Sequence, residues 1–185
     1  MATHTRRRDV RFVTVRRGGT LDDRRHRMLA SWAADCADRV QSLFACERPS
    51  DDRPRRAIEA ARAWANGDVT MIAAREAAVA AHGAAREVSG AAREAARAAG
   101  HAVATAHMAD HALEAAAYAL RAVLAAAGAG GAEAVRCERA WQRAQLPDGI
   151  RYLALDDQAP VGSGITVPAP AATFERSAAR FEKKR

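Results

Sequence analysis

Large side chains are scarce in this chain of 185 residues: aromatics make up 5% of it, and alanine supplies most of the 49% that is hydrophobic. Alanine favours helices and loses almost no side-chain entropy, but it buries little area, so helices built from it must approach closely to exclude water. The few large residues, Trp32, Phe44, Trp64, Leu113, Tyr118, Leu120, Leu124 and Trp141, therefore carry the core, and truncating one to Ala is expected to cost roughly 2–5 kcal/mol.

Cysteine is equally sparse. Cys36, Cys46 and Cys137 make an odd count without CxxC spacing, which excludes a disulfide framework and a zinc-ribbon reading. Cys36 and Cys46 fall on one predicted helix with about 15 Å of rise between them, too far to bond. No glycine-rich phosphate loop, GxSxG elbow or HExxH pair is present. The chain also lacks any run of about 20 apolar residues free of charge, so no membrane contact is expected. Its arginine-rich start has no apolar h-region, so a secretory signal is not expected and the cytoplasm is the expected location.

Charge of one sign is concentrated at the ends. Residues 1–27 hold nine Arg against three Asp, and residues 174–185 hold five basic against two acidic residues. The stretch between, 28–173, holds 15 basic and 17 acidic residues, so the net charge of +7 belongs to the ends. Such ends are expected to make only weak, non-specific contacts with nucleic acid. A sequence-reading binder needs basic residues on a packed face with aromatics for stacking.

What is present is helical period. After an alternating segment Arg11–Arg17, read as an extended arm or an edge, Gly18-Gly19 breaks the chain and Thr20 stands as a cap. Met28, Leu29, Trp32, Cys36, Val40, Leu43 and Phe44 then form one apolar stripe over 21–45. Further helices are predicted over 53–65, 69–88 with Asp68 as cap, 90–99, 101–127 and 132–145. Gly149–Leu155 is read as a short helix or a closing extended piece. Gly100 is read as a kink or a close-contact point. The expectation is an all-α, compact bundle of five to six helices, with a basic N-terminal arm (1–19), the bundle domain (20–155) and a Pro/Gly-containing loop with a basic tail (156–185).

Chemistry concentrates between Gly100 and Arg121. Treated as one helix with His107 at zero, His111 lies near 40°, Tyr118 near 20°, Glu114 near −20°, Arg121 near −40° and Asp110 near −60°, each at about 100° per residue. Leu113, Leu120, Val123, Ala109 and Ala116 form the opposite, core face. The strip can serve as a solvated or hydrogen-bonded seam, as a recognition surface, or as an acid–base or metal centre. In the last case His107, Asp110, His111 and Tyr118 would be the working residues. The HxxDH spacing has no zincin glutamate, and neither a metal site nor a cofactor is assigned. The strip is expected to be partly enclosed by a neighbouring helix, with His107 and His111 hydrogen-bonded. His101 points about 120° away and is read as separate; His82, on another helix, could join only by tertiary packing. Arg53 and Arg55, at a predicted helix start, are the second binding candidate, with Arg55 also placed to pair with Glu59.

Three stretches carry a resemblance. SWAADCADRVQSLFACERPSDDRPRRAIEAARAWANGDV (31–69), AREAAVAAHGAAREV (74–88) and AARAAGHAVATAHMADHALEAAAYALRAV (95–123) resemble the bacterial immunity-protein family of the Imm-five-like type, covering roughly residues 28–145. The resemblance implies a compact α-bundle that binds a toxin-like protein partner and neutralises it by occlusion. The other reading is an enzyme or small-ligand-binding protein using the His/Asp/Tyr strip in a bundle cavity, as in a bacterial biosynthetic pathway. Inhibitors of basic nucleases are commonly acidic, and a +7 chain departs from that pattern.

Overall fold

A computed structural model describes residues 9–155. Residues 1–8 of the expected arm and the expected loop and tail at 156–185 lie outside the described residues. Among the described residues the chain is all-α, with no strand: α1 (Asp23–Glu47), α2 (Arg53–Asn66), α3 (Met71–Arg86), α4 (Gly90–Ala104), α5 (His111–Ala127), α6 (Gly131–Ala144) and a short α7 (Asp148–Leu155).

Local chemistry sets most of these boundaries. Asp22, not Thr20, caps α1, its carboxylate accepting from the Arg25 backbone N–H at 2.7 Å. Thr70, not Asp68, caps α3 by accepting from Ala73 N–H at 3.2 Å. Where several capping residues crowd together, only the one left with extended backbone at the helix start can bond inward. Pro54 opens α2, where its missing N–H costs nothing, and Gly67 at φ 92° closes it in the left-handed region.

The hub is α4, which packs against α1, α2, α3 and α5. Its buried positions are Ala92, Ala95, Ala96, Ala98, Ala99, Gly100, Ala102, Val103 and Ala104. Small residues let the helix axes approach, and many weak dispersion contacts replace a few large side chains. The larger residues line its neighbours: Leu29, Trp32, Val40 and Phe44 on α1, Ile58 on α2 and Leu120 on α5 are all buried. Trp64, Leu113, Tyr118 and Val123 are only partly buried and pack against that core.

Two expectations change here. Residues 11–17 are not an extended arm. They form two 3-10 turns, with an isolated bridge from Thr14 to Leu21, an Arg16–Asp23 ion pair to the start of α1, and Phe12 buried at 4% exposure within the core. The second change is that 101–127 is not one helix. α4 runs on through Gly100 to Ala104, and the chain then turns over Thr105–Asp110 before α5 begins. A residue of α1 meets the end of α4: His26 Nε2 lies 2.6 Å from the Thr105 carbonyl, while Thr105 Oγ1 donates back to His101 O at 3.2 Å. A carbonyl at a helix end lacks an in-helix partner, and an imidazole N–H supplies one.

By length and composition alone the run His111–Ala144 could cross a bilayer. In the fold it is two helices, and α5 packs against α4 and α1.

Candidate functional site

The break after α4 divides the sequence strip in two. His111, Glu114, Tyr118 and Arg121 keep their common face on α5, within about 80° at 100° per residue. His107 and Asp110 sit in the turn instead, where they line a different groove.

The first group gains partners from α3 and α4. His101 is not separate but central. Its ring lies 4.9 Å from that of Tyr118 at an interplanar angle of 9°, and its Nδ1 lies 3.2 Å from Nδ1 of His111. His82 of α3 packs edge-on to His101 at 4.9 Å, and His107 approaches His111 at 5.2 Å between centroids. The contact between His82 and α4 depends on Gly100: a Cβ there would stand 2.6 Å from His82 Cε1. Gly100 is thus a point of close approach inside a continuous helix. Arg97 from α4 reaches the Tyr118 hydroxyl at 3.4 Å, and Arg121 lies over the same ring at 4.7 Å. His82, Arg97, His101, His111, Tyr118 and Arg121 are all half-buried, so the seam is enclosed on its inner side and open on its outer side.

Burial is the first cause acting on these imidazoles. It pushes His82 below the usual histidine range, helped by the positive charge of His111, Arg97 and Arg86. It pushes His101 further, to about 3, with His111, His82, Arg97 and Arg121 adding in the same direction. The His101–His111 contact then needs one Nδ1–H donor facing one bare Nδ1, so the pair holds a single proton along that line. A site under positive potential from two guanidiniums suits an anion better than a metal cation. Among the described residues no group of three or more His, Cys, Asp or Glu is arranged to hold a metal ion.

The second group lines a groove of about 380 Å³ between the N-terminal turns, the start of α1 and the turn after α4. His107 and Asp110 face it together with His26, Trp64, Phe12 and Met71. His26 packs edge-on to Trp64 at 4.8 Å, and burial lowers its pKa against the opposing pull of the Thr105 carbonyl. His107 also stands 5.2 Å from His111, so this groove adjoins the cluster that holds Tyr118.

Arg53 and Arg55 are held by carboxylates. Arg53 grips Glu87 at 3.0 and 2.9 Å and Asp51 at 2.9 and 2.6 Å, tying the start of α2 to the end of α3. Arg55 pairs with Glu59 as its spacing implies, and with Asp52 at 3.2 Å. Sequence reasoning missed Arg97 and His101 as members of the cluster and left His82 to tertiary packing, which brings it in. Only the glycine at 100, with a bulky ring elsewhere needing room, hinted at the meeting of α3 and α4.

The profile of a family described as Imm-5 like putative immunity protein matches residues 19–149. No curated protein and no solved structure matches the chain. The matched span takes in every helix from α1 to α6 and the first residues of α7, and the chain belongs to the Imm-5 like putative immunity protein family.

Proposed function

We propose that this chain is a bacterial cytoplasmic binding protein that neutralises a cognate toxin by covering its working surface. The observation that carries the reading is the extent of the family match: 131 residues in one span, 19–149, holding nearly the whole bundle rather than one loop. In this chain the matched span is a packed helical body, and a preformed body can inhibit by occupying a surface at little ordering cost. Exposed apolar side chains on the outer face of α3, Met71, Ile72 and Val79, add contact area of the kind interfaces use.

The test is co-expression with toxin domains encoded at the same locus, followed by size-exclusion chromatography of the purified pair. The expected outcome is restored growth and a co-eluting complex. Continued toxicity with both proteins eluting separately, for every toxin domain of the locus, overturns the reading.

A further inference from the structure

Eight of the eighteen arginines between residues 20 and 155 are answered by carboxylates. Arg62 meets Asp35 and Asp38, Arg39 meets Glu138, and Arg53 meets Asp51 and Glu87. Arg97 and Arg121 are different. Among the described residues neither forms an ion pair, although both converge on one aromatic ring, at 5.5 and 4.7 Å from its centroid. Glu94 and Glu114 lie within a turn or two on the same helices and pair with neither. Arg121 Nε is buried and finds no hydrogen-bond acceptor there. A buried donor without an acceptor is costly, and a guanidinium only partly buried can still grip a carboxylate through its remaining N–H groups.

We infer that Arg97, Tyr118 and Arg121 form the recognition centre for an acidic segment of the protein partner, seating an Asp or Glu carboxylate between the two guanidiniums over the phenol ring. This rests on the reading of the chain as a partner-binding protein and names the surface and chemistry of that binding. The geometry favours it on three counts. The site carries positive charge without an internal counter-ion. Tyr118 is braced from behind by the stacked His101 ring, so the platform is already in place before binding. Arg and Tyr in a half-enclosed setting are the residue types that dominate interface energetics. Nucleic acid fits less well, because 28–173 holds more acidic than basic residues. The charge departure noted above also falls into place: a partner with an acidic docking segment calls for an inhibitor with a cationic one.

The test uses the full chain, labelled for NMR of arginine side-chain N–H groups, titrated with a short poly-glutamate peptide and, in parallel, with a single-stranded oligonucleotide. The expected result is a saturable shift of the Arg97 and Arg121 Nε–H signals with the peptide. The Arg97→Gln/Arg121→Gln variant should lose at least about tenfold in peptide affinity, the scale of one charge-assisted hydrogen bond. Peptide shifts confined to arginines of the termini, or an oligonucleotide that perturbs the patch as strongly as the peptide, overturns the inference. The wild-type titration decides the matter even if the double variant fails to fold. No toxin enters this experiment, so a silent patch removes the inference alone, and failed neutralisation beside a responsive patch removes only the earlier reading.

Discussion

On the inward side of α4, Ala92, Ala95, Ala99 and Val103 are buried to 2% exposure or less, with nothing polar among them. On its outward side, Arg97, Gly100 and His101 meet His82, Tyr118 and Arg121 across α3 and α5. The two faces belong to one helix of fifteen residues and obey different constraints. The first is limited by volume, since its buried alanines sit among the larger side chains of the neighbouring helices. The second is limited by charge and hydrogen bonding, since burial works against a proton on His82 and His101 and two guanidiniums stand without an internal counter-ion. Sites kept for binding are commonly less than optimal for stability, and the contrast locates that cost on one side of a single element.

The contrast breaks most sharply by filling the inward face. Ala99→Leu is expected to lower the unfolding free energy by about 1–3 kcal/mol, because overpacking forces α4 away from its neighbours. Urea denaturation measures it, and a variant as stable as the parent would mean that the alanine face holds unfilled space. Next comes Gly100→Ala. Alanine should help a helix interior by roughly 0.5–1 kcal/mol, but the new Cβ would stand 2.6 Å from the His82 ring. A net loss on the order of 1 kcal/mol is expected. Adding His82→Ala should recover it, since the two changes share one contact and do not add. A stabilised Gly100→Ala single variant would show that the ring moves aside freely.

The third effect is a slope with pH. His101 titrates near 3 in the fold and near 6.5 in the unfolded chain, so above about 6.5 both states are neutral and nothing changes. As pH falls below 6.5 the unfolded chain takes up the proton and the fold does not, and stability declines towards pH 3. His82 and His26 are lowered as well and act in the same direction. The depressed carboxylates Asp9, Asp22, Asp51 and Glu87 act only at more acid pH, so the range from 7 to 5 isolates the imidazoles. The urea midpoint should fall across that range, and His101→Gln should flatten the decline. A midpoint unchanged between pH 7 and 5 would place these rings in contact with water.

The inward face was legible in the sequence because periodicity is a local signal. The stripe from Leu29 to Phe44, the helix predicted over 53–65 and the distance between Cys36 and Cys46 all follow from local sequence alone. The outward face was legible in part. His111, Glu114, Tyr118 and Arg121 share a strip because they share a helix. His107 and Asp110 were placed beside them only by carrying the helix angle across Thr105–Asp110, a stretch with no Gly or Pro to announce a break. The group that meets the freed carbonyl there is His26, 79 residues earlier in the chain. An angle of 120° likewise put His101 outside the strip on one helix, whereas the turn folds α5 back so that His101 meets His111. Phe12 was missed for a related reason: one aromatic in a basic segment has no period to reveal that it is buried.

The position of α4 at the centre of the bundle also shapes how the chain is made. α3, α4 and α5 are consecutive, so packing them closes only short loops, and this part should form quickly. α1 is synthesised first, yet much of its apolar stripe, with Leu29, Trp32, Val40 and Phe44, is completed by helices that emerge later. Until residues 90–104 have left the ribosome, α2 is the main cover that stripe has. A nascent chain paused between α2 and α4 presents that apolar surface to the cell, and rare codons or truncations there would send the product to chaperones and proteases rather than to the native fold.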